Sequence, residues 1–330
     1  LFKERVYIMT VSNDILQIET TASVGSSPWG IGEIVSGDLT PRQMMEKAGC
    51  NWSVEKVPTY ADYNGDKIPT GMEALVRSSD NKVLTQVGGK WEPCQNETAF
   101  EFFNEYCMEG GMQMDTAGSL KGGKMVWALA KVNESFETVK GDQVDSYLLF
   151  SNPHEYGKSI DIRFTPIRVS CMNTLAMALK GRAINSTKVN HRRAFDPDQV
   201  KITMGLAHEK FEQYKELSQF LAGKQFKMEN LIQYYNEVFP RTYQGKNPPL
   251  VQTYDDLTTN GQKAFDVLET QPGAEFGAGS WWQALNSVTY LTDHLMGREA
   301  DSRMTSAWFG SNQNRKQLAV SKAIEFAEAM

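Results

Sequence analysis

The sequence is poor in the residues that build metal sites and disulfide frameworks. Its 330 residues include only four cysteines and four histidines. No two cysteines form a Cys-x-x-Cys pair, and the histidines lie far from any zinc-ligand spacing. This composition predicts reduced cysteines in a cytoplasmic protein, and it gives no reason to expect a metal ion or another cofactor.

Long apolar runs are also lacking. No segment reaches the roughly 20 consecutive apolar residues that cross a bilayer, so we expect no membrane partner. The opening LFKERVYIMTVSNDILQ has no apolar core followed by a small-residue cleavage site, which argues against secretion. With 41% hydrophobic and 22% charged residues, the composition is that of an ordinary soluble globular protein.

Basic residues are outnumbered by acidic ones, 34 to 40, but they are concentrated in one window. The net charge of the chain is −6, yet residues 151–193 hold only two acidic residues. The eight basic residues of this window are Lys158, Arg163, Arg168, Lys180, Arg182, Lys188, Arg192 and Arg193. The window therefore carries +6 and the remainder of the chain −12, a segregation that predicts a basic surface.

Local signals predict alternating helices and hairpins in the first third of the chain. Thr40 is suited to begin a helix and Gly49 to end it. The Asn-Gly pair at 64–65 and the Asp-Asn pair at 80–81 predict two hairpin turns. The segment NETAFEFFNEYCMEGG predicts a further helix, with Asn96 as its N-cap.

Three strand patterns follow one another in the middle of the chain, over 122–132, 143–152 and 158–170. Short polar connections join them, so they predict an antiparallel meander. Asn173 or Thr174 would then cap a helix, which completes a helix–strand–strand–strand–helix unit.

Helical periodicity dominates from about Phe195 to the end of the chain. We therefore expect an α+β protein in which an antiparallel β-meander flanked by helices precedes a helical C-terminal region. The predicted division is an N-terminal extension over 1–24, an α+β domain with a nucleic-acid groove over 25–194, and a mainly helical region over 195–330.

Four segments together resemble a known family. They are SSPWGIGEIVSGDLTPRQMMEKAGCNWSVEKVP, TAGSLKGGKMVWALAKV, LLFSNPHEYGKSIDIRFTPIRVSCMNTLAMAL and GSWWQALNSVTYLTDHLMGREADSRMTSAWFG. They are similar to the phage/plasmid-like protein family, from about Gly25 to the C-terminus. The resemblance implies a mobile genetic element and a host cytoplasm, without a certain activity. The family's usual histidine after the early tryptophan is replaced here, since Gly30 follows Trp29, so no role of that histidine is transferred.

The order of helices and strands also resembles, in topology alone, the core of single-strand annealing proteins such as phage Redβ. Those proteins hold single-stranded DNA by its backbone in a positively charged groove of an oligomer. This analogy implies a non-enzymatic protein that anneals strands in recombination or replication. The implied partners are single-stranded DNA, with RNA as the alternative, and further copies of the chain.

Arg163 and Arg168 are the first candidates for backbone contacts. Strict strand alternation would place them on opposite faces of the sheet, whereas a bulge at Pro166 would bring both to one face. Cations along a groove neutralise phosphates and release counterions, so we expect both arginines to contact phosphate. The alternative is a solvated sheet face with weak surface ion pairs.

Further cations flank this strand. Those of the downstream loop are Lys180, Arg182, Lys188, Arg192 and Arg193, which would either cover a bound strand or remain solvated. Lys121 and Lys124 surround a Gly-Gly pair whose N–H groups could approach phosphate. Met125 follows where a Walker motif needs Ser or Thr, so a strand-entry turn is the alternative. Trp127 could stack on a base, but its apolar neighbours favour a core position.

Two other functions stay open. One is a protein-interaction or virion-associated role. The other is a metal-dependent enzyme of nucleic acids or nucleotides, built on Asp293, His294, Glu299 and Asp301. A surface helix end is the favoured interpretation of that cluster, and no catalytic pair stands out, so we do not expect an enzyme.

Overall fold

The computed structural model describes residues 21–24, 33–108, 111–168, 173–174, 186–189, 197–241 and 250–329. Eleven strands lie in these ranges: β1 (Thr21–Val24), β2 (Glu33–Val35), β3 (Val54–Tyr63), β4 (Asp66–Arg77), β5 (Val83–Gly88), β6 (Met112–Leu120), β7 (Met125–Glu137), β8 (Gln143–Pro153), β9 (Ile160–Arg168), β10 (Asn173–Thr174) and β11 (Ser186–Val189). Eight α-helices accompany them in the described ranges: α1 (Pro41–Lys47), α2 (Asn96–Met108), α3 (Pro197–Ala222), α4 (Met228–Val238), α5 (Thr259–Asp266), α6 (Trp281–Tyr290), α7 (Ala300–Phe309) and α8 (Ser311–Glu328).

The larger sheet is built around the expected antiparallel meander. Its strand order is β10-β9-β8-β7-β6-β1-β2, and β11 pairs with β9 as well. The mixed α+β class and the helical C-terminal region are confirmed. The meander has four consecutive strands, since β6 precedes the three that alternation indicated. Small and polar residues in MQMDTAGSL hide the apolar pattern of β6, although the strand is almost entirely buried.

A second sheet holds β3, β4 and β5. Both predicted hairpin turns are present, with left-handed backbone at Asn64, Gly65 and Asn81 (φ of 53°, 86° and 58°). The first predicted helix start is also present. The Thr40 hydroxyl accepts a hydrogen bond from the backbone N–H of Gln43, whose side-chain oxygen accepts one from the N–H of Thr40.

Asn96 begins α2 but does not cap it as expected. Its side chain is buried, and its amide donates to the carbonyl oxygens of Cys50 and Trp52 at 3.0 and 3.2 Å. Phe100 and Phe103 are buried on the apolar face of the helix. Asn96 therefore connects α2 to the segment between α1 and β3 instead of closing its own helix.

Both faces of the large sheet are covered. On one face, α1 and α2 pack over β6, β7 and β8, where Phe103 meets Phe150 edge to face. On the other face, α7 packs against Trp127, whose ring lies 4.8 Å from that of Trp308. Trp127 is fully buried, as its apolar neighbours indicated.

The helical region shares a core with the sheet. Trp281 and Trp282 are buried in that core, which also contains Phe136, Val144 and Phe164 from the sheet. The core therefore crosses the boundary drawn from the sequence between residues 194 and 195. Among the described residues, no helix combines the length and the apolar character that spanning a membrane requires.

Asn173 and Thr174, the predicted helix caps, are a short described segment of the chain. They form β10 and pair with Arg168 and Ile167 of β9. The Asn173 amide also donates to the hydroxyl of Thr289 at 2.8 Å, which ties the strand to α6. The helix expected after them lies outside the described residues.

Candidate functional site

Arg168 is buried inside the protein instead of lining a groove. Only 2% of the residue is exposed, and its Nε donates to Oδ1 of Asp142 at 2.6 Å. Its terminal nitrogen donates to the carbonyl oxygen of Gly273 at 2.6 Å, and the guanidinium lies over the ring of Trp282. Arg168 thus joins β9 to the β7–β8 turn and to the helical region.

Arg163 is also occupied by partners within the chain. Its Nε donates to Oδ2 of Asp161 at 2.9 Å, and Nη1 donates to the carbonyl oxygen of Trp308 at 2.9 Å. The guanidinium lies over the ring of Phe309, and 12% of the side chain is exposed. Arg163 therefore fastens α7 to the sheet.

The two arginines lie on opposite faces of the sheet. Arg163 pairs with Leu149 and Arg168 with Val144, and the β8–β9 register runs between them without a shift at Pro166. Strict alternation thus holds, and the bulge that would have aligned the two side chains is absent from this strand. The burial and the ion pairs of the two arginines argue against a phosphate contact by either of them. Each guanidinium is desolvated and already neutralised by a carboxylate, so releasing it would leave that carboxylate buried and unpaired.

The other cations of the basic window are only partly described. Lys180, Arg182, Arg192 and Arg193 lie outside the described residues. Lys188 lies on β11, where its backbone is opposite Asp161 near the start of β9.

The three remaining candidates meet at one end of the sheet. Lys121 and Lys124 lie in the β6–β7 turn, and Lys158 lies in the β8–β9 turn. The turns touch, because the N–H of His154 donates to the carbonyl oxygen of Lys124 at 2.8 Å and Nζ of Lys121 is 3.3 Å from Oε2 of Glu155. The register of β11 brings Lys188 to the same end.

Tyr156 completes this group, and the sequence analysis missed it. It lies between Glu155 and Lys158 in the β8–β9 turn and is 57% exposed. We call Lys121, Lys124, Tyr156, Lys158 and the backbone position of Lys188 the turn-end surface. Within the described part of the chain, no carboxylate forms an ion pair with Lys124 or Lys158. The sequence signal that could have identified Tyr156 is a tyrosine next to a glycine and a lysine in a polar turn.

The Gly-Gly turn has the left-handed backbone of a tight connection. Lys121, Gly122 and Gly123 all have positive φ, of 55°, 67° and 88°. The backbone N–H of Lys121 donates to Oδ2 of Asp301 at 2.9 Å. That N–H is thus directed at a carboxylate of α7, which favours the strand-entry turn over a phosphate cradle.

Asp293 and Asp301 do not form one acidic surface. Asp293 is buried in a π-helical turn (Leu291–Leu295), where Oδ1 accepts a hydrogen bond from Nζ of Lys316 at 2.6 Å. Burial lowers the pKa of Lys316 despite this carboxylate. The favoured interpretation, a surface helix end, is therefore wrong at Asp293. Among the described residues, no three His, Cys, Asp or Glu side chains are grouped so that they could hold a metal ion.

The comparison with protein families assigns most of this fold to one family. The profile of a domain of unknown function (DUF932) matches residues 83–308, from β5 to α7. The chain belongs to this family. The match includes both turns of the turn-end surface and the residues that accept hydrogen bonds from Arg163 and Arg168, namely Asp142, Asp161, Gly273 and Trp308. No curated protein and no solved structure matches the chain significantly.

Proposed function

We propose that this chain binds single-stranded DNA by its backbone at the turn-end surface and anneals strands in the recombination or replication of a phage or plasmid. The supporting observation is that Lys124, Lys158 and the exposed Tyr156 lie in two touching turns at one end of the sheet. The proposal no longer includes Arg163 and Arg168, because both are held by carboxylates.

The chemistry of the proposed contact is passive. Each phosphate that a lysine neutralises releases counterions, which for single strands gives a slope of about −0.7 in log affinity against log salt. Three contacts would give a slope of about −2. A base stacked on Tyr156 would add roughly 1–3 kcal/mol without reading the sequence. Glu155 lies beside Lys121 and weakens its attraction for phosphate, so Lys124 and Lys158 carry the proposal.

The turn-end surface is small, so tight binding requires several copies of it on one strand of DNA. A homo-oligomer would present one turn-end surface per subunit along the same strand, which raises the effective concentration of each later contact. Base edges would stay free to pair, because the cations hold only the backbone.

Binding of a labelled single-stranded oligonucleotide, followed by fluorescence anisotropy at about 50 and about 200 mM salt, tests this proposal. The double variant Lys124→Glu/Lys158→Glu is expected to weaken binding at least about tenfold and to reduce the salt slope. Lys140→Glu/Lys263→Glu is the matched control, because both lysines are exposed, Lys140 in the β7–β8 turn and Lys263 on α5. Equal losses in the two double variants, or none in either, would contradict the proposal.

A second function, protein assembly, is favoured by the β3–β4 hairpin. Its outer half projects from the second sheet and exposes Tyr60, Tyr63 and Ile68 by 55, 65 and 48%. Exposed apolar side chains in a group are typical of protein-interaction surfaces. Light scattering after size exclusion tests it. The triple variant Tyr60→Ser/Tyr63→Ser/Ile68→Thr should dissociate an assembly that the wild-type chain forms, and a monomeric wild-type chain would remove this hypothesis for self-association.

A further inference from the structure

A cleft in the helical region, far from the turn-end surface in the fold, has a composition of its own. It encloses about 610 Å³ between the start of α4, the end of α5 and the glycine-rich segment 270–280. Its apolar lining comes from Phe226, Met228, Phe265, Leu268, Ala274 and Ala278. Three acidic residues also line it, Asp266, Glu269 and Glu275, beside the uncharged Thr270, Gly279 and Gln283. We call the whole the acidic cleft.

One wall of the cleft is held in a fixed shape. Gln283, at the start of α6, accepts a hydrogen bond from the N–H of Gly279 at 2.8 Å and donates to the carbonyl oxygen of Ala274 at 3.0 Å. Gly277 and Gly279 have φ of 77° and 76°, a conformation that glycine adopts without strain. A Cβ on Gly279 would lie 2.6 Å from Oε1 of Gln225. The cleft is therefore largely preformed.

The negative charge of the cleft is not balanced within the described residues. None of the lysines and arginines described here forms an ion pair with Asp266, Glu269 or Glu275. Within the described ranges, the one hydrogen bond to these carboxylates comes from the hydroxyl of Tyr254, which donates to Asp266 at 3.0 Å. Like charges around one opening repel each other, and a cation bound between them would relieve this repulsion.

We propose that the acidic cleft binds a linear aliphatic polyamine. Such a molecule carries several ammonium groups joined by short methylene chains. The carboxylates match the ammonium groups, and Phe226, Met228 and Phe265 give the methylene chains an apolar surface. The volume lies within the roughly 300–1,000 Å³ of small-molecule sites. A compact metal ion would bind the carboxylates but would gain nothing from the apolar lining. The inference stands independently of the DNA-binding proposal, because no residue is common to the two surfaces.

Isothermal titration of the full-length chain with spermidine tests the assignment. The double variant Glu269→Gln/Glu275→Gln is expected to bind at least about tenfold more weakly, because each carboxylate lost removes an ammonium partner. The control Glu216→Gln/Glu328→Gln changes the net charge equally at two exposed positions away from the cleft. It should bind spermidine like the wild-type chain. Circular dichroism should show all variants folded, since the exchanged side chains are exposed.

The role of the apolar lining is tested with ligands of equal charge. 1,4-Diaminobutane should bind more tightly than 1,2-diaminoethane, because its longer methylene chain buries more apolar surface. Magnesium at the same concentration should not displace spermidine. No binding of spermidine, equal losses in the cleft and control variants, or displacement by magnesium would each overturn the proposal. Tighter binding of trilysine than of spermidine would overturn the free-amine assignment in favour of a basic peptide.

Discussion

Replacing Arg168 should destabilise the fold rather than remove a DNA contact. Arg168 and Asp142 are 2 and 0% exposed, and their ion pair is 2.6 Å long. Breaking a buried pair by removing one partner costs about 3–5 kcal/mol, because the remaining charge stays in a low-dielectric environment without compensation. In Arg168→Met, Asp142 would keep the indole N–H of Trp282, which donates to it at 2.7 Å. We therefore expect a loss of about 3–4 kcal/mol, a large fraction of the total for a typical domain.

Urea unfolding followed by tryptophan fluorescence measures this loss, since Trp282 contacts the pair directly. The double variant Arg168→Met/Asp142→Asn removes both charges and should recover at least about half of the lost stability. Lys158→Met serves as the control at an exposed position and should stay within about 0.5 kcal/mol of the wild-type chain.

The outcome separates the two roles of Arg168. If Arg168→Met kept the wild-type unfolding midpoint but lost affinity for single-stranded DNA, the buried ion pair would be refuted and a phosphate contact restored. If the double variant were as unstable as the sum of its single variants, the two side chains would not be coupled.

Three further changes test other parts of the fold. In urea unfolding, Lys316→Met should cost about 3–5 kcal/mol. Lys316→Met/Asp293→Leu should cost clearly less, since it also removes the buried charge that Lys316 neutralises. Burial raises the pKa of Asp115 in the folded protein above its value in the unfolded chain. The contribution of this protonated side chain to the free energy of unfolding is therefore present at low pH and is lost as the pH rises through the raised pKa. Asp115→Asn should therefore raise the melting temperature at neutral pH. This gain should shrink as the pH falls towards the ordinary pKa of an aspartate. Gly279→Ala should cost about 1–2 kcal/mol through its positive φ and its approach to Gln225, measured as a lower urea midpoint.

The features that the sequence predicted well are those with local causes. The turn at Asn64 and Gly65 depends on two residues that tolerate a left-handed backbone. The start of α1 depends on Thr40 and Gln43, three positions apart. The meander and the C-terminal helices follow from apolar periodicity within single segments. None of these predictions required knowledge of a distant partner.

The site predictions failed where partners are distant in the chain. Arg168 meets Asp142 from 26 positions upstream and Gly273 from 105 positions downstream. A charge count over a window of the sequence treats such an arginine as free, so it overstates the charge available to a ligand. Asp293 was misjudged for the same reason, since Lys316 lies 23 positions away on another helix. Tyr156 was overlooked because its interest as a binding residue comes from its exposure, which the residue type alone does not reveal.

The position of the turn-end surface follows from the way in which the sheet is covered. From Gln143 to Pro153, every residue of β8 except the first is buried, and β9 is buried everywhere except at Arg163. A polynucleotide therefore has no access to the middle of either face. Arg163 and Arg168, five positions apart on β9, serve instead to fasten α7 to one face and the α6 region to the other. Cations that meet a ligand must lie outside the covered faces, and Lys124 and Lys158 do so because they lie in turns between strands. The same covering explains why a sheet rich in buried side chains would bind its ligand at one end.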